Sequence, residues 1–428
     1  MVELQLFRTA KAQLIESLRK RNVEQGEEIV EEVIALDDQR KQLQTQLDDL
    51  RADSNRISKK IGQLYQEGKG DEAEQLKNEV SQSKDRIKAL EEEYKSAKSQ
   101  LEEKLFNIPN ILHEKVQKGK DESDNELFRD YEGDLPELPE SAKPHWELAQ
   151  EYGILDMEMG AKLSGSGFPV FLDKGARLQR ALVAFFLERA RIEGYREVSP
   201  PLLVNEATAR GTGQLPDKEG QMYRIEKDDL YLIPTAEVPL TNIYRDVILE
   251  EDDFPLKITG YTPCFRREAG SYGADVKGLN RVHQFDKVEI VQVQHPDKSY
   301  DTLHEMMNHV AGVLEDLDLP YRIMRLCGGD TGFAAAMTYD FEVYSAAQKK
   351  WLEVSSVSNF ETFQSNRMML RYRTGKGTEL AHTLNGSALA LARIIASILE
   401  NGQTEEGIRI PDALVPYTGF ELIEAPGS

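Results

Sequence analysis

From Glu27 to about Asn107 the chain contains no proline, and its apolar residues recur in alternating steps of four and three. Ile29, Val33, Leu36, Leu43, Leu47, Leu50, Ile57, Ile61 and Leu64 form one series, with Arg40 and Ser54 in its two polar slots. Ala73, Leu76, Val80, Ser83, Ile87, Leu90, Tyr94, Ala97 and Leu101 form a second. A period of about 3.5 residues held over this length predicts a coiled coil, because it keeps one seam of each helix turned to its partner. Between the series stands GKGDEAE. Gly68 and Gly70 are expected to end the first helix, and Asp71 to cap the second with Glu74 in capping-box position. A short link between long helices predicts an antiparallel hairpin. It would extend about 54 Å from Ile29 to Leu64 at 1.5 Å per residue.

Residues 108 to 145 form a connector in which Pro109, Pro136, Pro139 and Pro144 interrupt a polar, acidic stretch. The pattern then changes. ARLQRALVAFFLERARIE, from Ala176 to Glu193, predicts an amphipathic helix, and ALALARIIASILE another near the C-terminus. GYREVSPPLLV, YLIPTAEVPL, LKITGYTPCF, VHQFDKVEIVQV and YDFEVY read as strands. Helices are interspersed without a repeating βαβ unit, so the expectation is an antiparallel sheet in an α+β domain. The division expected is a helical unit over 1–110 and the α+β domain over 111–428.

Composition narrows this picture. The 428 residues admit two or three domains and a sizeable core. No apolar run approaches the ~20 residues of a membrane helix, and the first residues lack a signal-peptide core. The expectation is no membrane partner and a cytoplasmic location. Two cysteines, Cys264 and Cys327, suit neither a disulfide framework nor a cysteine-rich zinc site. The seven histidines show no metal-ligand spacing. A net charge of −22 mainly promises solubility and argues against a broadly basic nucleic-acid surface. Residues 27 to 107 carry 14 basic and 20 acidic side chains. Yet Arg51, Arg56, Lys59 and Lys60 cluster in the outer half of the hairpin, and Lys84, Arg86 and Lys88 on its returning helix. These are either solvated coiled-coil faces or a lever that touches a polyanion.

The chemistry concentrates in CFRREAGSYGADVKGLNRVHQFDKVE, residues 264 to 289. Read as two strands and a loop, a period of two puts Arg266 and Glu268 on one face of the first strand. It puts Arg281, Phe285 and Glu289 on one face of the second. Two guanidinium forks can grip one anionic ligand at two points. Phe285 offers a surface on which a base could stack. Glu289 suits an ammonium or hydroxyl group, and Glu268 could accept from an exocyclic amine. A salt-bridged surface explains any single pair; five residues in register favour a nucleotide and an amino-containing small molecule side by side. His283 on this ribbon reads as structural, and Cys264 as a buried thiol.

FRRE, a loop and then Arg281, Phe285 and Glu289 at intervals of four resemble motif 2 of the class II aminoacyl-tRNA synthetases. GYREVSPPLLV (Gly194, Tyr195, Val198, Pro201) resembles motif 1, the dimer-interface element, and NGSALALAR, ending at Arg393, resembles motif 3. The hairpin, TGQLP (Thr212 to Pro216), PTAEVPL, FRREAGS, HQFDKVE, EVSS (Glu353 to Ser356), HTLNGS (His382 to Ser387) and the closing IRIPDALVPYTGF are similar to the bacterial-type seryl-tRNA synthetase family from end to end. The resemblance implies a tRNA-binding hairpin over 1–110 and a class II antiparallel catalytic sheet flanked by helices over 111–428. It implies activation of L-serine with ATP, transfer of serine to serine tRNA (and to selenocysteine tRNA where one exists), and a cytoplasmic homodimer.

It also assigns residues. Arg266 matches the arginine on the α-phosphate of ATP and the serine carboxylate, Glu268 the carboxylate on the adenine amine, and Phe285 the ring under adenine. Arg281 and Arg393 match arginines at the γ-phosphate end, with adenine lying between Phe285 and Arg393. Arg267, Val282, Val354 and Ser355 complete the implied ATP-binding set, and Arg266, Glu268 and Arg393 the implied catalytic set. Thr235, Ala236 and Glu237 match the loop that closes on the serine amino group; Glu289 and Ser387 match residues in contact with serine. Glu353 and Ser356 match ligands of the Mg²⁺ that accompanies ATP, a carboxylate and a hydroxyl beside substrate phosphates. In the family the arm meets the long variable arm of serine tRNA. Three departures stand out: Ala388, Ala390 and Ala392 where motif 3 often has glycine, Gly167 where the family often has arginine, and Met337 where it often has lysine. A ligase that loads an amino acid onto a carrier protein would lack the hairpin. A catalytically silent, RNA-binding paralogue would be expected to lack a motif arginine or glutamate, and all are present.

Overall fold

The computed structural model describes residues 1–268 and 277–424. Ala269, Gly270 and Ser271 of FRREAGS, and the loop on to Val276, lie outside the described residues. The chain divides into two compact units: Val2–Arg19 with Val23–Pro109, and Lys20–Asn22 with the chain from Asn110 onward. Among the described residues no helix is long and apolar enough to cross a membrane.

The first unit is built on α1 (Gly26–Gln66) and α2 (Gly70–Phe106). Every residue of the two heptad series is buried or half-buried, as expected of a seam that supplies most of a long helix's stability. The tip differs from expectation. Gly68 takes a left-handed φ of +76°, and Lys69 is the N-cap of α2 without a side-chain cap bond. Asp71 therefore sits inside the first turn, where its charge faces the positive end of the helix dipole. Glu74 accepts from the Tyr65 hydroxyl at 3.2 Å instead of closing a capping box. The Arg40 slot also has a partner: Asp37, 1% exposed, meets Arg8 at 3.1 Å, Arg40 at 2.7 Å and Lys41 at 2.7 Å. Burial pushes the Asp37 carboxyl up, but hydrogen bonds from Lys41, Arg40 and Arg8 outweigh it and hold the group below its ordinary range.

In the second unit the elements that position the site are β1 (Glu126–Arg129), α3 (Asp173–Ile192), β2 (Arg196–Glu197), α4 (Glu237–Asn242), β3 (Leu256–Phe265), β4 (Gln284–Gln294), α5 (Ser299–Asp316), β5 (Tyr321–Arg325), β6 (Met337–Ser345), β7 (Lys350–Glu361), β8 (His382–Ala390) and α6 (Leu391–Asn401). The strands form one eight-stranded sheet in the order β1-β5-β6-β7-β8-β4-β3-β2. All neighbours are antiparallel except β2, which runs parallel to β3. Leu178, Leu182 and Phe186 of α3, Met306 and Val310 of α5, and Ile394, Ile395 and Ile398 of α6 pack with Val288 and Ile290 of β4 and Leu384 of β8. Val291 of β4 packs instead with Ala236, Leu240 and Ile258. Alternation along β4 thus gives one face to the helices and turns the other, with Glu289, away from them.

Three predicted elements change. GYREVSPPLLV is strand only over Arg196–Glu197 and again from Leu203, with Pro200 and Pro201 in the gap, where they can donate no ladder hydrogen bond. YLIPTAEVPL is a strand only over Leu230–Leu232, and α4 begins at Glu237. Ile233 to Thr241 are all buried, so the stretch has no alternation from which to separate strand from helix. ALALARIIASILE is likewise strand as far as Ala390 before α6 starts.

Candidate active site

β3 ends at Phe265 and β4 begins at Gln284. Arg266, Glu268 and Arg281 therefore lie beyond the strand ends, not on strand faces, and Glu268 has a left-handed φ of +48° that breaks any alternation. They come together by a different route. Arg281 Nε donates to the Glu268 carboxylate at 2.9 Å, which secures the two loop stems to each other. The Arg266 backbone N–H donates to the His283 carbonyl at 2.9 Å, its Nε to the Pro234 carbonyl at 3.3 Å, and its guanidinium stands 5.2 Å from the centre of the Phe285 ring. A cation held against an aromatic face leaves its outer edge ready for an anion. Arg267 is exposed, with its backbone N–H on the Gln221 carbonyl at 2.9 Å and its guanidinium 5.9 Å from the Tyr223 ring. Val282 is buried.

Beside this cradle lies a cluster of buried polar side chains. Glu289 of β4 is cross-strand from Ser387 of β8. It receives Lys287 Nζ at 2.6 Å and the Thr235 hydroxyl at 3.3 Å. Thr235 Oγ1 in turn accepts from the Glu237 backbone N–H at 3.1 Å, which starts α4 within this cluster past the buried Ala236. Gln364 Nε2 donates to the Glu237 carboxylate at 2.7 Å. Burial, and then the charge of Glu289, push the Glu237 carboxyl up to about 7. Lys287 and Gln364 were not anticipated. Lys287 shares the parity of Phe285 and Glu289 on β4, so the period of two contained the signal. Gln364, in a short helix over Phe363–Met368, offered none.

On β7, Ser356 Oγ lies 3.4 Å from a Glu353 carboxylate oxygen, as donor. Ser355 Oγ donates to the Ser387 carbonyl at 2.6 Å, and Val354 is buried in the core. Arg393, in the first turn of α6, donates Nη1 to the Glu353 carbonyl at 2.5 Å and Nε to the Asn280 carbonyl at 3.0 Å. Asp340 of β6 is the cross-strand partner of Ser356. One of its carboxylate oxygens is buried without a hydrogen-bond partner, and burial followed by the nearby Glu353 charge pushes the group well up from its usual range. An orphaned carboxylate oxygen next to a second carboxylate and a hydroxyl is a donor set that fits a hard, oxygen-seeking cation. Among the described residues no group of three or more histidine, cysteine, aspartate and glutamate side chains could hold a metal. The fit therefore rests on Glu353, Ser356 and Asp340.

The departures from the family pattern acquire reasons. Gly167 has a φ of +84°, and a Cβ there would stand 2.3 Å from Cδ2 of His283. The His283 backbone N–H donates to the Gly167 carbonyl at 2.8 Å, its ring stacks on Phe168 at 5.3 Å, and its Nδ1 shares a 2.8 Å hydrogen bond with the Tyr223 hydroxyl. Met337 is buried in the core and Ala388 is fully buried, so a lysine at the first would lose its solvation.

The antiparallel sheet with its parallel edge strand, the arginine cradle at the loop stems and the arginine opening α6 define a class II synthetase core. Residues 222–402 match the model of the tRNA synthetase class II core domain (G, H, P, S and T), and residues 1–112 that of the seryl-tRNA synthetase N-terminal domain. The serine--tRNA ligase of Salinibacter ruber is 49% identical, over 99% of this chain and 100% of its own. The crystal structure of seryl-tRNA synthetase from Pyrococcus horikoshii complexed with ATP superposes with a TM-score of 0.91 at 34% identity, covering 99% of this chain and 100% of that one. That of the cytoplasmic serine-tRNA ligase of Naegleria fowleri in complex with AMP superposes with a TM-score of 0.86 at 29% identity, covering 100% and 99%. The chain belongs to the seryl-tRNA synthetase family.

Proposed function

We infer that this chain is a serine–tRNA ligase that uses ATP. The observation that carries the reading is the cluster of buried polar side chains Glu289, Lys287, Thr235 and Glu237, joined to the Arg266–Phe285 cradle through Pro234, whose carbonyl accepts from Arg266. It offers carboxylates and a hydroxyl for a small amino acid's ammonium and side-chain oxygen, next to a guanidinium for its carboxylate and for the α-phosphate. The known ATP complex of the Pyrococcus horikoshii relative supports a nucleotide in the cradle.

Serine's carboxylate attacks the α-phosphorus in line, the bond to the bridging oxygen breaks and pyrophosphate leaves. A ribose hydroxyl at the tRNA 3′ end then attacks the acyl carbon, its proton is lost, and AMP departs. No covalent enzyme intermediate is needed; the chain positions reactants and spreads charge. Arg266 bridges the serine carboxylate and the α-phosphate. Glu268, Arg267, Val282 and Phe285 hold the adenine, and Arg281 and Arg393 the γ-phosphate end, with Val354 and Ser355 placing the β7 wall. Mg²⁺ would be held by Glu353 and Ser356, with Asp340 beside them, and supplies charge neutralisation at the phosphates. Thr235, Ala236 and Glu237 close on the ammonium group, and Glu289 and Ser387 read the side chain. A pocket that hydrogen-bonds the serine hydroxyl penalises alanine strongly, while threonine must be excluded by size. Residues 1–110 would take the tRNA through the arm, and 111–428 the chemistry, in a cytoplasmic homodimer joined through the 194–204 segment.

Serine-dependent exchange between ATP and pyrophosphate tests this, against alanine, threonine, glycine and cysteine. Strong exchange with serine alone is expected. No exchange with any amino acid, in folded protein supplied with Mg²⁺, would overturn the reading and leave a catalytically silent RNA-binding paralogue.

A further inference from the structure

A buried carboxylate projects from the helix that follows motif 3, outside every motif of the family resemblance. Glu400 stands seven residues, two helical turns, beyond Arg393 on α6, so both project from one side of the helix. Its side chain is fully buried against His145, itself fully buried. Its carboxylate accepts from the His145 backbone N–H at 2.9 Å, His145 Nδ1 at 2.6 Å, Gln348 Nε2 at 2.7 Å and the Ser345 hydroxyl. Four donors are close to the full acceptor capacity of a carboxylate.

The network leads back to the site by two routes. His145 Nε2 accepts from the Leu279 backbone N–H at 2.8 Å. A ring nitrogen that accepts carries no proton, so His145 is the neutral tautomer with its proton on Nδ1, pointed at Glu400. Gly278, at φ +62°, makes this approach possible: a Cβ there would stand 2.3 Å from His145 Nε2. By the second route, Gln348 accepts from Asn280 Nδ2 at 3.3 Å while donating to Glu400. Both routes end on consecutive residues of one loop stem, and the Asn280 carbonyl is the acceptor that aims Arg393 Nε.

We propose that His145 and Glu400 are positioning residues for ATP: through Leu279 and Asn280 they set the backbone carbonyl on which the Arg393 guanidinium is aligned. The proposal rests on the ATP reading of the cradle given above. Stability alone is a poor reason for the arrangement, because well-packed apolar residues of similar volume are often as stabilising as buried charged networks. A network that fixes the Leu279 backbone N–H, the neighbouring Asn280 side chain and, through the Asn280 carbonyl, the direction of one arginine is accounted for by what that arginine binds.

The test uses His145→Asn, His145→Gln and Glu400→Gln in the full-length protein. Asparagine keeps a donor near the Nδ1 position and removes the acceptor for Leu279. Glutamine reaches the Nε2 position and restores that acceptor. In ATP–pyrophosphate exchange His145→Asn and Glu400→Gln are expected to raise KM for ATP about tenfold with KM for serine within about twofold, and His145→Gln to recover part of the loss. A merely structural role would lower the melting temperature and the active fraction while leaving both KM values in place, and that outcome overturns the proposal. Should the variants not fold, the imidazole nitrogen shifts of His145 in histidine-labelled wild type decide: a protonated Nε2 refutes the relay, and a protonated Nδ1 with bare Nε2 sustains it. An absence of exchange in wild type would instead count against the ligase reading itself, so the two failures are distinguishable.

Discussion

Serine binding is predicted to expel a proton from Glu237. Its carboxyl is pushed up to about 7, chiefly by burial and then by Glu289. In the free protein the group is then about half protonated near pH 7, mostly protonated at pH 6 and mostly ionised at pH 8. A substrate ammonium beside it favours the ionised form. Binding should therefore release up to about half a proton at pH 7, more at pH 6 and less at pH 8, with the full amount reached where the ammonium leaves the carboxylate wholly ionised. Titration calorimetry in buffers of different ionisation enthalpy reads this directly as the slope of observed against buffer enthalpy. The same shift makes a stability prediction. Between the usual 4.5 and about 7 the folded state binds more protons than the unfolded chain. Stability from this group is thus fully present below pH 4.5 and declines as pH rises through 7. At 1.36 kcal/mol per pH unit the loss is at most about 3 kcal/mol. Glu237→Gln escapes this loss, so it should exceed wild type in urea denaturation at pH 8 by up to that amount, less whatever the bond from Gln364 to the carboxylate returns. The two proteins should converge near pH 4.5. Enthalpies independent of buffer at pH 7, with a stability difference that does not change with pH, would refute the argument.

Two further perturbations address other parts of the chain. Gly167→Arg and Gly167→Ala both place a Cβ against His283 at a left-handed φ. Each should cost about 1–3 kcal/mol in thermal or urea unfolding and raise KM for ATP, because His283 carries the carbonyl that holds the Arg266 backbone; a Gly167→Ala variant as stable as wild type would show that the contact relaxes freely. On the arm, Lys59, Lys60, Lys84, Arg86 and Lys88 are all exposed. Changing them together to glutamate should leave serine-dependent exchange unchanged, weaken charging of serine tRNA about tenfold or more and flatten its dependence on salt. Charging that is indifferent to the change would return these residues to the plain role of solvated coiled-coil faces.

What could be read from the chain alone divides along the range of the interaction concerned. The seam of the hairpin was legible because a heptad is a local property repeated many times. The turn was misplaced by a few residues because Lys69, which no capping preference singles out, occupies the N-cap. Strands were legible where β-branched and apolar residues run on without a helix signal, as in β3 and β4, although β4 is buried throughout Lys287–Gln294. Over Ile233 to Thr241, equally buried, the strand reading was wrong because burial leaves no period to tell strand from helix.

The charged ribbon is the more instructive case. Its two faces were assigned by alternation, and three of its five residues are not on a strand at all. The grouping survived because it rested on chemistry: arginines, carboxylates and an aromatic ring at close spacing need partners, and Arg281 with Glu268, or Arg266 with Phe285, supply them whatever the local backbone does. Nothing comparable marks His145 and Glu400, which meet across 255 residues of sequence. Glu400 closes the run ALALARIIASILE, where a lone carboxylate reads as the solvated end of an apolar helix, and His145 sits between a proline and a tryptophan with no patterned neighbour. Periodicity reports which face of an element is buried; it is silent on a polar residue that is buried because its partner arrives from another element. The cross-strand meeting of Asp340 with Ser356 escapes a sequence reading for the same reason. Around this site the anchoring of the ligand-facing groups depends on such pairs, so the side chains that touch substrates are the legible part, and those that aim them emerge only from the fold.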